Sequence, residues 1–88
     1  MPTVEIYTRD YCGYCGRATQ LLRGKGVAFR EYNATREPAR RDEMIRRSGR
    51  TTFPQIFIGD LHVGGSDELS AFERSGKLDK ALEGTPAR

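Results

Sequence analysis

The sequence predicts an α/β fold in which a four-stranded mixed sheet carries helices on both faces, in the order β-α-β-α-β-β-α. Three observations predict it. A β-rich run, a helical pattern and a second β-rich run follow one another, which implies a right-handed parallel crossover. Two later apolar runs flank Gly59-Asp60, a two-residue loop suited to a tight antiparallel hairpin. A further helical pattern opens directly after that hairpin, across Gly64-Gly65.

Val4-Glu5-Ile6-Tyr7 sets β-branched and aromatic residues in alternation and stops at Thr8-Arg9-Asp10, so it reads as a first strand ending in a loop. Cys12 therefore falls where strand gives way to helix. From Gly13 to about Arg23, Ala18, Leu21 and Leu22 recur at helical spacing among good helix formers, and Gly24-Lys25-Gly26 supplies the stop. Residues Val27 to Tyr32 read as the second strand. Glu37 to Ser48 reads as a polar, Arg-rich helix that packs through Ala39, Met44 and Ile45 before Gly49 ends it. Gln55 to Ile58 and Leu61 to Val63 form the hairpin, and Gly64-Gly65 is expected to break its second strand. Ser66-Asp67 is expected to cap a helix carrying Leu69 and Phe72. A last short helix holds Leu78 and Leu82, and residues 84–88 are expected to fray. With no internal repeat, low-complexity stretch or linker, residues 1–88 read as a single domain.

Eighty-eight residues, 36% of them hydrophobic, support one thin core and exclude a multidomain enzyme. No apolar run approaches the roughly 18 residues of a membrane span. The Met1-Pro2-Thr3 start has no basic segment followed by an apolar one, so the expectation is a cytoplasmic protein without a membrane partner. Net charge is +3, and the six arginines and three acids between 36 and 50 alone account for that excess. Aromatic residues are not interleaved with those charges, which argues against nucleic acid.

Cys12 and Cys15 are the most informative pair. A disulfide across so short a loop would constrain the unfolded chain by only about 2 kcal/mol, a weak staple. In a chain without a secretion signal the spacing points instead to redox chemistry or to half of a metal site. At a helix start, the Cys12 sulfur would face unpaired N–H groups and the positive end of the helix dipole, which favour thiolate, and Arg9 and Arg17 would add to this. Cys15, one turn on and deeper, is placed to attack a mixed disulfide formed on Cys12. Structural zinc usually takes four Cys or His ligands, and beyond this pair only His62 is available. His62 lies inside a predicted strand and reads as a packed residue.

Cys12-Gly13-Tyr14-Cys15 after a first strand, Thr52-Phe53-Pro54 before a third, and Gly64-Gly65-Ser66-Asp67 opening a helix together resemble a glutaredoxin over nearly the whole chain. The bacterial, single-domain dithiol type is the closest likeness. The resemblance implies the thioredoxin fold, a monomer, glutathione as co-substrate, and reduction of protein disulfides and protein–glutathione mixed disulfides. It makes Cys12 and Cys15 the catalytic pair, and Arg9, Tyr14, Thr52, Phe53, Pro54, Gln55, Gly65, Ser66 and Asp67 the glutathione-binding residues. Pro54 would be cis and turn the Phe53 backbone outward, where the central residue of glutathione can pair with it like an added strand. The helix start at Ser66 would take the γ-glutamyl carboxylate, and the Asp67 side chain the ammonium beside it. Arg9, with Gln55, would take the glycyl carboxylate, while Tyr14 lines the groove and Thr52 flanks the Phe53 contact.

Two positions depart from the family pattern. Gly13 stands where many dithiol glutaredoxins have proline, and non-proline residues there accompany members that assemble a [2Fe-2S] cluster between two subunits with the first cysteine and glutathione. A cluster-binding dimer with Cys12 as iron ligand is therefore an alternative function. Ser66 stands where relatives often have a third cysteine, which removes a site for side reactions with oxidants. The Arg-rich helix reads as a solvated face in which Arg36 and Arg40 repel while Glu43 and Arg47 attract. A second reading has Arg47 and Arg50 extending a positive field toward glutathione or an acidic partner.

Overall fold

A computed structural model describes residues 2–85. Its sheet is built around the β-branched and aromatic run at the start of the chain, β1 (Val4–Thr8), which pairs parallel with β2 (Phe29–Asn33) and antiparallel with β3 (Gln55–Ile58). The hairpin partner β4 (Leu61–Gly64) closes the order β2-β1-β3-β4, so both central strands are covered on each face and every one of their residues but Glu5 is buried. Helices α1 (Gly13–Gly24), α2 (Ala39–Ser48), α3 (Ser66–Arg74) and α4 (Lys77–Ala81) complete the chain.

Alternation along β1 and β3 divides the core. Val4, Ile6, Ile56 and Ile58 pack with Ala18 and Leu22 of α1, Leu69 of α3, and Leu78. Tyr7 and Phe57 turn the other way and pack with Met44 of α2. The expected mixed sheet with helices on both faces is what forms, and β1 ends beside the start of α1. Among the described residues no helix is long and apolar enough to cross a membrane.

Several local expectations shift. The β1–β2 ladder begins at Phe29, opposite Val4, so the second strand starts two residues late, although Val27 is buried. Pro38 stands directly before α2, which therefore opens at Ala39; Ala39 is exposed, and Met44 with half-buried Ile45 makes the packing. Arg47 leaves Glu43 and reaches across to Glu5 at 3.0 Å and to the Tyr7 hydroxyl at 2.9 Å, while Glu43 holds Arg40 at 2.9 Å. Arg40 bonds Glu37 and Glu43 and covers the Tyr32 ring, instead of facing Arg36. Gly64 belongs to β4, and the cap of α3 is Gly65, whose N–H donates to Glu68 Oε1 at 2.7 Å, so Ser66 is the first helical residue and not the cap. Of the tail expected to fray, residues 86–88 lie outside the described residues, but Thr85 is tied back to the carbonyl of Leu82 through its N–H and its hydroxyl.

Candidate active site

The loop from Thr8 to Cys12 is fixed from three sides. The Asp10 N–H donates to Thr35 Oγ1 at 3.0 Å, Asn33 Nδ2 donates to Asp10 Oδ1 at 2.9 Å, and Arg9 Nη1 spans the carbonyls of Asp10 and Tyr11. These bonds hold Tyr11 at φ 55°, a backbone region an aromatic residue rarely adopts, with its ring fully exposed. The turn delivers Cys12 as the N-cap of α1 in extended conformation, and its Sγ accepts the Cys15 N–H at 3.2 Å.

Both cysteines are free thiols, Cys12 half-buried and Cys15 buried. Burial, with the neighbouring Cys12 sulfur, pushes the Cys15 thiol up to about 12. The two sulfurs are thus unequal at neutral pH: one is reachable and bonded to a helix N–H, the other enclosed and protonated.

Across from them the Phe53-Pro54 peptide is cis, and the Phe53 carbonyl lies 4.0 Å from Cys12 Sγ. From this point a groove of about 280 Å³ runs to the start of α3, lined by Tyr14, Arg50, Thr52, Phe53, Pro54, Gly65, Ser66, Asp67 and Glu68. Gly65 admits the close approach of the strand, since a Cβ there would stand 3.3 Å from the Pro54 carbonyl. Glu68 anchors the far rim, accepting from the Gly65 N–H and from Arg50 Nη1 at 2.8 Å. The Gly65 N–H, then Arg50, holds its carboxyl below the usual range. A cis-proline loop facing a Cys-x-x-Cys helix start, joined by a groove to a second helix start, matches what the three sequence motifs imply together.

A glutaredoxin family model matches residues 4–63. The chain belongs to the glutaredoxin family. It is 55% identical over 82 residues to a glutaredoxin of Pseudomonas aeruginosa, covering 93% of this chain and 98% of that one. Against glutaredoxin 3 of Escherichia coli K12 it is 53% identical over 83 residues, covering 94% and 100%. Among solved structures it superposes on a Brucella melitensis glutaredoxin with a TM-score of 0.81 at 57% identity, over 94% of this chain and 90% of that one. A buckwheat glutaredoxin–glutathione complex gives a TM-score of 0.87 at 30% identity, over 98% and 83%. The architecture is the thioredoxin fold, and the protein is a thiol-disulfide oxidoreductase.

Seven of the nine residues expected around glutathione meet in the glutaredoxin groove, and two do not. Gln55 is fully buried, and its amide is spent inside the protein: Nε2 donates to Thr52 O at 3.0 Å and Thr52 Oγ1 at 3.1 Å, while Oε1 faces His62 Nε2 at 2.7 Å. It supports the groove from behind and does not line it. Arg9 lies outside the lining, with its guanidinium on the loop carbonyls it clamps. Arg50 and Glu68 line the groove although only a general field was expected of Arg50 and nothing of Glu68. The spacing from Gly65 to Glu68, a cap residue followed three later by Glu, is the sequence signal for the second. Arg47 stays on the far face, its guanidinium 4.0 Å from the Phe57 ring centroid.

Among the described residues no group of three or more His, Cys, Asp or Glu side chains is placed to hold a metal ion, and His62 is engaged with Gln55. With Cys15 enclosed, one chain offers one reachable thiol, so a [2Fe-2S] cluster does not fit the residues of a single chain.

Proposed function

We propose that this glutaredoxin is a glutathione-dependent reductase of protein–glutathione mixed disulfides and protein disulfides, with Cys12 as nucleophile and Cys15 as resolving thiol. The observation that carries the reading is the half-exposed Cys12, accepting a helix N–H, at the end of a peptide-sized groove that closes on a helix start. The buckwheat relative solved as a glutathione complex supports the same ligand here.

In the monothiol route Cys12 thiolate attacks the glutathione sulfur of a mixed disulfide. The S–S bond breaks, the protein thiolate leaves and takes a proton, and Cys12 carries glutathione. A second glutathione thiolate attacks that disulfide, releasing oxidised glutathione and free Cys12. With a protein disulfide, Cys12 forms a mixed disulfide with the substrate; Cys15 then loses its proton and attacks Cys12 Sγ, expelling the reduced substrate and leaving a Cys12–Cys15 disulfide. Two glutathiones restore the dithiol.

Glutathione would pair its central residue with the Phe53 backbone, beside Pro54, Thr52 and Tyr14. The Ser66 N–H at the start of α3 suits the γ-glutamyl carboxylate, the Asp67 carboxylate suits the ammonium, and Arg50 adds positive charge at that end. Arg9 would reach the glycyl carboxylate only by leaving the carbonyls of Asp10 and Tyr11. One chain suffices for this chemistry, and its dependence on reduced glutathione accords with a cytoplasmic setting. A glutathione-coupled assay on a glutathionylated protein tests it: turnover that saturates in glutathione is expected, and no turnover above the Cys12→Ser variant would overturn it.

A dimeric [2Fe-2S] form is a second reading, supported by the half-buried Cys12, which offers one thiolate per chain, beside a Gly13 whose added Cβ would meet nothing within 4 Å. A second copy and two glutathiones would supply the thiolates one chain lacks. Anaerobic reconstitution with iron, sulfide and glutathione should then give a coloured dimer, and much less from Gly13→Pro; a colourless monomer rejects it.

A further inference from the structure

Behind the groove lies a hydrogen-bond chain that the thiol chemistry does not use. The Thr52 carbonyl can only accept, so the Gln55 group 3.0 Å from it is the NH₂ end of the amide. The second hydrogen of that NH₂ goes to Thr52 Oγ1 at 3.1 Å, so the hydroxyl accepts from Gln55 and keeps its own hydrogen for the groove it lines. The opposite end, Gln55 Oε1, is fully buried and faces His62 Nε2 at 2.7 Å. An amide oxygen cannot donate, so this contact requires the hydrogen on Nε2.

We infer that His62 is a positioning residue for the glutathione groove, acting through Gln55 to keep the Thr52 hydroxyl a donor toward the ligand. The ring is well placed to hold that role. It stacks on Phe57 with centroids 4.7 Å apart at 23°, and Phe57 is in turn covered by the Arg47 guanidinium. Burial, then Arg50 and Arg47, opposed by Glu68, holds the imidazole below its usual range, so it carries one N–H at neutral pH. Without that donor the buried Gln55 oxygen has no partner, and the amide gains by rotating away from Thr52. The hydroxyl then turns inward or to water, and the groove loses an oriented donor. Cys12 and Cys15 are untouched, so the loss falls on binding and not on the chemical step.

The inference rests on the glutathione reading of the groove, and the test separates the two. His62 is the single histidine of the chain, so long-range proton–nitrogen correlation spectra of nitrogen-15-labelled protein report its tautomer without assignment ambiguity. Hydrogen on Nε2 in the free protein is expected, and a neutral ring protonated on Nδ1 overturns the proposal whatever the variants do. In the coupled assay His62→Leu should raise the glutathione KM by about three- to tenfold, the scale of one lost hydrogen bond, with kcat within about twofold. His62→Gln, whose amide N–H reaches the same place, should bring KM back toward the natural value; an equal rise in both variants overturns the role of the hydrogen bond. An unchanged KM in His62→Leu, while Thr52→Val and Asp67→Ala raise it, overturns this inference and leaves the groove assignment standing. Unchanged KM in all of these variants places glutathione elsewhere and takes the inference with it.

Discussion

The peptide N–H of Cys15 donates to the sulfur of Cys12 at 3.2 Å, so the residue that encloses one thiol also presents the other. The N-cap position gives Cys12 a bond that strengthens when its sulfur is negative. Position 15, one turn along, is buried, with 4% of its surface exposed.

This inequality predicts unequal variants. Cys12→Ser should abolish turnover on every substrate. Cys15→Ser should lose dithiol reduction of protein disulfides yet still strip glutathione from mixed disulfides, because that route needs only Cys12 and a second glutathione. Equal loss in both variants on a glutathionylated protein would contradict the assignment.

Burial of the Cys15 thiol, whose ordinary value is 9.0 and which is pushed up to about 12, links folding to alkaline pH. Between those values the unfolded chain releases the proton and the folded chain keeps it. The contribution to stability is therefore whole below pH 9 and is lost as pH rises toward about 12. Urea midpoints of the reduced protein should fall across that window more steeply than those of Cys15→Ala. Iodoacetamide at pH 8 should correspondingly label Cys12 alone in the folded protein, as read by peptide mass.

The groove makes a graded prediction. Asp67→Ala should raise the glutathione KM by about 5–30-fold, the effect of losing a charge-assisted contact, with kcat little changed. Arg50 is already paired with Glu68 and well exposed, so Arg50→Ala should raise KM by only about two- to fivefold, shrinking as salt is added. A KM insensitive to both changes would move glutathione out of this groove.

Much of the fold is legible in local sequence signals. The strand and helix order follows from alternation at Val4–Tyr7, the helical spacing of Ala18, Leu21 and Leu22, and the Gly59-Asp60 turn, all of which are local signals. The thiol pair and the α3 start are likewise short motifs. What local pattern could not show is where long polar side chains end up, because their partners are distant in sequence. Arg47 finds Glu5 and Tyr7, 42 and 40 residues away, in preference to Glu43 on its own helix. Gln55 turns inward because His62, across the hairpin, offers a donor. Arg9, free in sequence, is taken by the carbonyls of the strained turn at Tyr11.

Gly64 offers a last prediction, in which backbone and side chain are separable. Its φ is +118°, a conformation that favours glycine, and a Cβ there would stand 2.9 Å from Glu68 Cγ and 2.6 Å from Glu68 Oε1. Gly64→Ala must therefore both strain the chain and push Glu68 off the Gly65 N–H and Arg50, for a loss of about 1–3 kcal/mol in urea denaturation. Gly13→Ala, where the added Cβ meets nothing within 4 Å, should not show this loss. The clashes with Oε1 and Cγ are removed in the double variant Gly64→Ala/Glu68→Ala, which keeps only the 3.0 Å approach to the Cβ of residue 68, so its cost should be smaller than the sum of the two single changes. A cost equal to that sum would mean that the strain lies in the backbone of Gly64 alone, and that Glu68 holds the rim of the groove independently of the glycine beneath it.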